Sequence, residues 1–272
     1  MQARGVIHDL QGEPGAIPIR WSNMSKPASD VQARHVAALK RVPLFADLTD
    51  SQLSVVAHDF RLRTYEKDAT IFRQDDWGHE MYVILEGKVR IFKLSPAGDE
   101  TSIRIFIAGD IIGELAALDR QARSASAKAI GRCALLELPG DLLVQRMREM
   151  PELAISLARL LAGKLRWTAE YAETIAQYDA AGRLLHILLS YNQQFGREQE
   201  AGKRYEIDLA LNQADLASLV GARREWVNRI LQDWQRRGLI EYRAGKLILL
   251  DLPRVIQERD SRIEANRPDA KW

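Results

Sequence analysis

The chain has 272 residues, too many for one ordinary small domain and comfortable for two. Its 39 Lys and Arg nearly balance 37 Asp and Glu, for a formal net charge of +2, so any nucleic-acid footprint must be local rather than global. One cysteine, Cys133, excludes an intramolecular disulfide and an iron–sulfur cluster held by four thiolates, and no apolar run reaches the roughly 18 residues that span a bilayer.

The N-terminal stretch is rich in Gly, Pro and polar residues and lacks the apolar centre of a signal peptide. Residues 1–35 are expected to be a disordered arm. With so few thiols, the chain is expected to be cytoplasmic and without a membrane partner. Two short helical segments follow over residues 36–60, with Pro43 between them. Thr49 and Gln52 have the spacing of a capping box at the start of the second. Residues 61–138 read as short strands separated by turns at Glu86-Gly87, Ala97-Gly98 and Ala108-Gly109. That pattern predicts a rolled antiparallel β domain.

Within it lies GELAALDRQARSASA, from Gly113 to Ala127. Glu114 and Arg123 stand there among residues with almost no side chain. Small residues admit a ligand close to the backbone, a carboxylate accepts hydroxyl protons, and a guanidinium grips a phosphate by two parallel bonds. The stretch is expected to line a pocket for a small anionic ligand bearing hydroxyls.

From Asp141 to about Tyr191 the period becomes helical, with a break at Pro151. Leu157, Leu161, Thr168, Tyr171, Ile175 and Tyr178 fall near one face, which can pack on its own domain or on a partner helix; the length and position of the segment favour a dimer helix. FGREQEAGKRYEID reads as a loop followed by a short strand. NQADLASLVGARREWVNRILQDWQRRG then carries a helix-turn-helix spacing. Asn212 caps with Asp215 at the third helical position, Ala217 is small enough for close helix approach, Gly221 makes the turn, and Val227 anchors the second helix. That second helix opens with Arg223, Arg224 and Glu225, followed by Asn228 and Arg229, residue types that read base edges. Residues 239–250 form a predicted hairpin turning at Ala244-Gly245, a wing with Arg243 and Lys246 near its tip and Arg236 and Arg237 nearby to meet phosphates.

A β-rich domain, a long helix and a winged helix-turn-helix, in this order over about residues 36–252, resemble the CRP/FNR family of bacterial transcription regulators. GELAALDRQARSASA resembles that family's phosphate-binding cassette and GARREWVNRIL its recognition helix. The resemblance implies an α+β fold: an N-terminal antiparallel β-roll over 36–150, a dimerisation helix over 151–179, a winged helix-turn-helix over 180–252 and a tail over 253–272. It implies a cyclic nucleotide effector, cyclic AMP or cyclic GMP, and no metal. Glu114 would accept the ribose 2′-hydroxyl and Arg123 would pair with the cyclic phosphate. Ser124 and the backbone N–H groups around Gly113 and Leu115 would complete the cradle, and Thr168 would meet the base. Arg224, Glu225 and Arg229 would read bases in half-sites like TGTGA. The implied partners are double-stranded DNA, a second copy of the chain and RNA polymerase.

Three positions depart from the family pattern. Ala169 stands where the cyclic-AMP receptors have a hydroxyl that reaches across the dimer. Arg104 stands in a strand where a small polar residue usually lines the purine side. It either faces solvent or favours a purine carbonyl or an extra phosphate. Trp226 and Asn228 are bulky for the recognition helix. The alternative within the same class is a regulator with a different effector, such as haem or another small molecule, or with none. His79 and Cys133 are the candidate haem ligands, each with an ordinary structural role open to it. No enzyme motif such as G-x-S-x-G, H-E-x-x-H or G-x-x-x-x-G-K-[ST] is present, so catalysis is not expected.

Overall fold

The computed structural model describes residues 28–95, 98, 100–208, 212–243 and 246–263. Helix α1 (Ala28–Leu39), a 3-10 turn (Pro43–Phe45) and α2 (Asp50–Asp59) lead into the strands β1 (Arg61–Tyr65), β2 (Thr70–Phe72), β3 (Glu80–Glu86), β4 (Lys88–Leu94), β5 (Glu100–Ile107) and β6 (Ile111–Ile112). Helix α3 (Glu114–Asp119) interrupts the strands before β7 (Ser126–Ala129) and β8 (Cys133–Pro139). Then come α4 (Gly140–Glu149), α5 (Pro151–Gln177) and α6 (Ala180–Phe195), a hairpin of β9 (Gly196–Glu200) and β10 (Arg204–Asp208), α7 (Gln213–Val220), α8 (Arg224–Arg236), β11 (Ile240–Arg243), β12 (Lys246–Leu249) and α9 (Leu252–Asp260).

The first eight strands form two four-stranded antiparallel sheets, ordered β1-β8-β3-β6 and β2-β7-β4-β5. β3 explains why its sequence, EMYVILE, is apolar nearly throughout. Met81 and Val83 join a cluster with α1, α2, α4 and α5, while Tyr82 and Ile84 fill the space between the sheets. Successive side chains point to opposite faces, so a strand covered on both must be apolar at every step. β8 does the same with Leu136 and Leu138 on the helix side and Cys133 and Leu135 on the sheet side.

The capping box at Thr49 and Gln52 is present in both directions. The predicted break at Pro151 also falls where expected, at the first residue of α5. The arm expected over 1–35 is corrected at its end. α1 begins at Ala28, because Val36 and Leu39 pack into the cluster beneath α2, while residues 1–27 lie outside the described residues. The loop expected before β10 is a strand, β9, paired along Gly196–Glu200.

The C-terminal sheet is ordered β11-β12-β10-β9. The helical parts of this region gather around Trp234, which is fully buried with Leu184, Val227 and Leu249. One residue of the β-roll belongs to the same cluster, Ile105 of β5. Beside it, the Ser102 and Ser218 hydroxyls lie 2.6 Å apart, and the buried Arg90 donates to both oxygens. Arg90 also pairs with Glu100 and lies 3.9 Å from Asp215. Helix α7 is thus clasped to β5.

The tail expected from 253 is corrected as well: α9 is anchored, and only residues 264–272 lie outside the described residues. Val255 is fully buried, and the nearly buried Glu258 pairs with Arg237 and Arg262. Arg237, expected to meet phosphates, is engaged here instead. Hydrogen bonds from Arg237 hold the Glu258 carboxyl at about 2, below its ordinary 4.5. The folded chain therefore takes up this proton less readily than the unfolded one, so the stabilisation is complete above about pH 4.5 and is lost as pH falls toward 2. Glu258→Gln is expected to lower stability by about 1–3 kcal/mol at neutral pH and to flatten the acid limb of a urea-unfolding series below pH 4.5. An acid limb identical to that of the parent would show that the tether lies elsewhere.

Candidate functional site

Arg123 follows the loop after α3 and turns inward. It is 2% exposed, its Cζ 4.4 Å from the Phe72 ring centroid and 5.9 Å from that of Tyr82. Nη1 donates to the Gly113 carbonyl at 2.9 Å and Nη2 to Glu80 Oε2 at 3.0 Å. Nε is buried and, among the described residues, has no hydrogen-bond partner, so the guanidinium keeps an unused donor. Burial pulls the Arg123 pKa down from its usual value, opposed by Tyr82 and Glu80.

Gly113 makes this packing possible. Its φ is +76°, a left-handed conformation, and a Cβ there would stand 2.7 Å from Arg123 Nη1 and 2.9 Å from the Glu80 carbonyl oxygen. It caps α3, whose first residue, Glu114, is 4% exposed.

Gly113, Glu114, Leu115, Arg123, Ser124, Thr168 and Arg104 all line one cavity of about 320 Å³. β2, β4, β5, α3 and α5 supply its walls. Ser124 and Thr168 are exposed at its rim, and the Thr168 hydroxyl is already used, donating to the Lys164 carbonyl at 2.9 Å. Leu115 is 46% exposed. Arg104 does not face solvent: its Cζ lies 5.1 Å from the Phe106 ring centroid and 5.0 Å from that of Trp167. Trp167 in turn stacks on Tyr171 at 5.3 Å, and the Tyr171 hydroxyl donates to the Leu219 carbonyl of α7 at 3.0 Å.

Several lining residues escaped the sequence reading, Lys93, Trp167 and Lys164 among them. Lys164 of α5 places Nζ 2.9 Å from Glu114 Oε1 and donates to the Ile111 carbonyl at 2.7 Å. It falls three residues before Trp167 and four before Thr168, so the helical period would have found it once one pocket residue on α5 was known.

Neither haem candidate enters this cavity. The Cys133 thiol is buried, donates to the Lys88 carbonyl at 3.2 Å and has its pKa raised by burial. His79 Nδ1 lies 3.4 Å from the Ala116 carbonyl oxygen.

On α5 the face read from the sequence divides. Leu157 is buried, and Leu161 and Tyr171 pack against their own chain. Another stripe is left largely outside: Ile155, Ala158, Leu165, Ala169, Ala172 and Ala176, with Ala162 half-buried among them, alternating at three and four residues. Ile155 is 52% and Leu165 71% exposed. That spacing is the seam of a coiled coil.

The helix-turn-helix takes its expected form. Asn212 and Asp215 form a capping box, Gly221 adopts φ 65°, and Ala217 and Val227 are buried. Arg223 is the N-cap of α8, and Arg224, Glu225 and Arg229 are exposed on its first turns. Asn228 departs from the expectation of a free reader: its Oδ1 accepts from Gln213 Nε2 at 3.0 Å, tying α8 to α7. Trp226 leans into the core cluster rather than away from it. Arg243 and Lys246 flank the wing tip, residues 244–245, which lie outside the described residues. Lys246 Nζ lies 3.2 Å from Glu206 Oε1, with its side chain largely exposed.

Residues 62–149 match the cyclic nucleotide-binding domain family, and residues 182–257 the Crp-like helix-turn-helix domain family. The chain is 30% identical over 217 residues to a CRP-like cAMP-activated global transcriptional regulator of Mycobacterium tuberculosis, covering 80% of this chain and 96% of that one. It is 29% identical over 188 residues to a global nitrogen regulator of Nostoc sp., covering 68% and 83% of the two chains. A solved structure of a CooA mutant from Carboxydothermus hydrogenoformans has the same fold, with a TM-score of 0.64 at 20% identity over 78% of this chain and 91% of that one.

Gly113→Ala tests the cradle. A left-handed alanine costs about 1–2 kcal/mol before any clash, so the urea midpoint is expected to fall clearly. An unchanged midpoint would show that the loop shifts freely and that Arg123 is not held by it.

Proposed function

As a member of the CRP/FNR family of bacterial transcription regulators, the chain is a ligand-responsive, DNA-binding regulator rather than an enzyme, and we propose that its ligand is a cyclic nucleotide held in the Arg123 pocket. The observation that carries this reading is Arg123 itself, a guanidinium buried in the pocket wall with one donor unused. An anionic ligand would compensate a buried cation whose one ion pair among the described residues is with Glu80. Glu114 and the rim hydroxyls of Ser124 and Thr168 are suited to ribose and base. The cyclic AMP activation of the mycobacterial relative supports the same class.

A second reading keeps the pocket and changes the effector. It is favoured by Lys164, which already occupies the carboxylate that a ribose would need. The nitrogen regulator among the relatives shows that members of this family serve different regulatory purposes.

The alternating apolar stripe on α5 supports a homodimer through that helix. Two recognition helices then stand about 34 Å apart and enter successive major grooves. A ligand that favours this spacing favours DNA by the free energy with which DNA favours the ligand. The outward placement of Arg224, Glu225 and Arg229 supports base reading, and that of Arg243 and Lys246 supports phosphate contact.

Two measurements test these assignments. Calorimetry with cyclic AMP and cyclic GMP should show affinity falling roughly tenfold to a hundredfold in Arg123→Leu, about 1.5–3 kcal/mol. Undiminished affinity in a folded variant would remove the pocket from the reading. On DNA, Arg224→Ala should cost about 1–3 kcal/mol on the preferred duplex and relax base choice at one position. Lys246→Ala should weaken preferred and scrambled duplexes alike and shallow the salt dependence by about one unit. Equal losses on both duplexes for Arg224→Ala would move the reading surface away from α8.

A further inference from the structure

Four cationic side chains line the effector pocket, Lys93, Arg104, Arg123 and Lys164, against one carboxylate, Glu114. They are not equivalent. Arg123 is shared between Glu80 and the Gly113 carbonyl, and Lys164 covers Glu114. Arg104 stands with aromatic neighbours, Phe106 and Trp167, and among the described residues it forms no ion pair. The carboxylate whose charge bears on it, Asp110, is not paired with it; it accepts a bond from the Ile107 amide at 2.8 Å.

A nucleotide with one phosphate would use Arg123 and leave Arg104 under a neutral base. Covering a half-buried cation without an anionic partner is unfavourable. The guanidinium that remains has planar N–H donors suited to a phosphate fork. Ile103, Arg104 and Trp167 line both this pocket and a second cavity of about 160 Å³ that reaches α6.

We propose that Arg104 is a second anion subsite and that the effector is a nucleotide carrying two phosphate groups, one held by Arg123 and the other by Arg104. This rests on the reading of the Arg123 pocket as the effector site. Lys164, by neutralising Glu114, leaves the pocket's net positive charge to be met by the ligand. Lys93, exposed at the rim, adds to the attraction and forms no ion pair among the described residues.

Calorimetry on the full-length protein tests it with four probes. Cyclic AMP and cyclic GMP carry one phosphate each; adenosine 3′,5′-bisphosphate and cyclic di-AMP carry two. At least one two-phosphate probe is expected to bind about tenfold or more tighter than both cyclic mononucleotides. The bisphosphate and dinucleotide arms decide whether the two phosphates come from one nucleoside or bridge two. In Arg104→Gln the ratio of two-phosphate to one-phosphate affinity should collapse by roughly tenfold to a hundredfold. A cyclic mononucleotide that outbinds both two-phosphate probes, with affinity lost in Arg123→Leu, would overturn the second subsite and leave the effector pocket standing. Equal losses on all four probes in Arg104→Gln would also overturn it, making Arg104 a base contact. Binding of no probe, or binding indifferent to Arg123→Leu, would overturn the effector pocket together with the subsite.

Discussion

A buried guanidinium organises the sensing half of this protein. Arg123 is tolerable at 2% exposure only because the surroundings are fitted to it: one carboxylate, one carbonyl and the face of an aromatic ring. Each comes from a different strand or turn. Glu80 opens β3, Phe72 closes β2, and Gly113 sits between β6 and α3. The two sheets therefore have to be in register before the cation has its partners. The small residues around it serve the same end, since a Cβ on Gly78 would already stand 3.3 Å from Arg123 Nε. Among the described residues Nε has no hydrogen-bond partner, so the folded chain satisfies the guanidinium incompletely.

Helix α5 gives this pocket its reach. Lys164 and Trp167 close it from one side, and one turn further on Tyr171 holds the carbonyl of Leu219 at the end of α7. The opposite side of the same helix presents the alternating apolar stripe. A single helix thus lines the Arg123 cavity, bonds the helix-turn-helix domain and carries the apolar stripe. Rigid elements with packed contacts at both ends are the kind that carry coupling between sites.

What the sequence made legible was local. Each capping box joins residues three apart, Thr49 with Gln52 and Asn212 with Asp215, and the turn at Gly221 lies between the Ala217 and Val227 anchors, so backbone physics over short spans sets these patterns. The cassette was legible because two charges among small residues are rare without a purpose. The remainder depends on partners far apart in sequence. Nothing near Arg237 shows that it holds Glu258, so α9 read as tail. β9 is polar along its length and exposed, so it carried no alternation to betray a strand. The outward stripe on α5 is mostly alanine, which scores weakly beside Leu157 and Leu161, although these turn inward. The pairing of Lys164 with Glu114 joins residues 50 positions apart and needs the β-roll and α5 to be docked first.

The clasp between α7 and β5 makes the linear order of modules differ from the order of packing. Ile105 is encoded in the sensing domain and buried in the core of the reading domain, with the paired hydroxyls of Ser102 and Ser218 sealing the edge. A fragment cut at Asp179 would keep every residue of the winged helix-turn-helix and still be missing a piece of its interior. In this conformation the two halves share one hydrophobic cluster. Releasing the reading domain means opening a hydrophobic surface to water and separating Arg90 from Asp215 at the same moment.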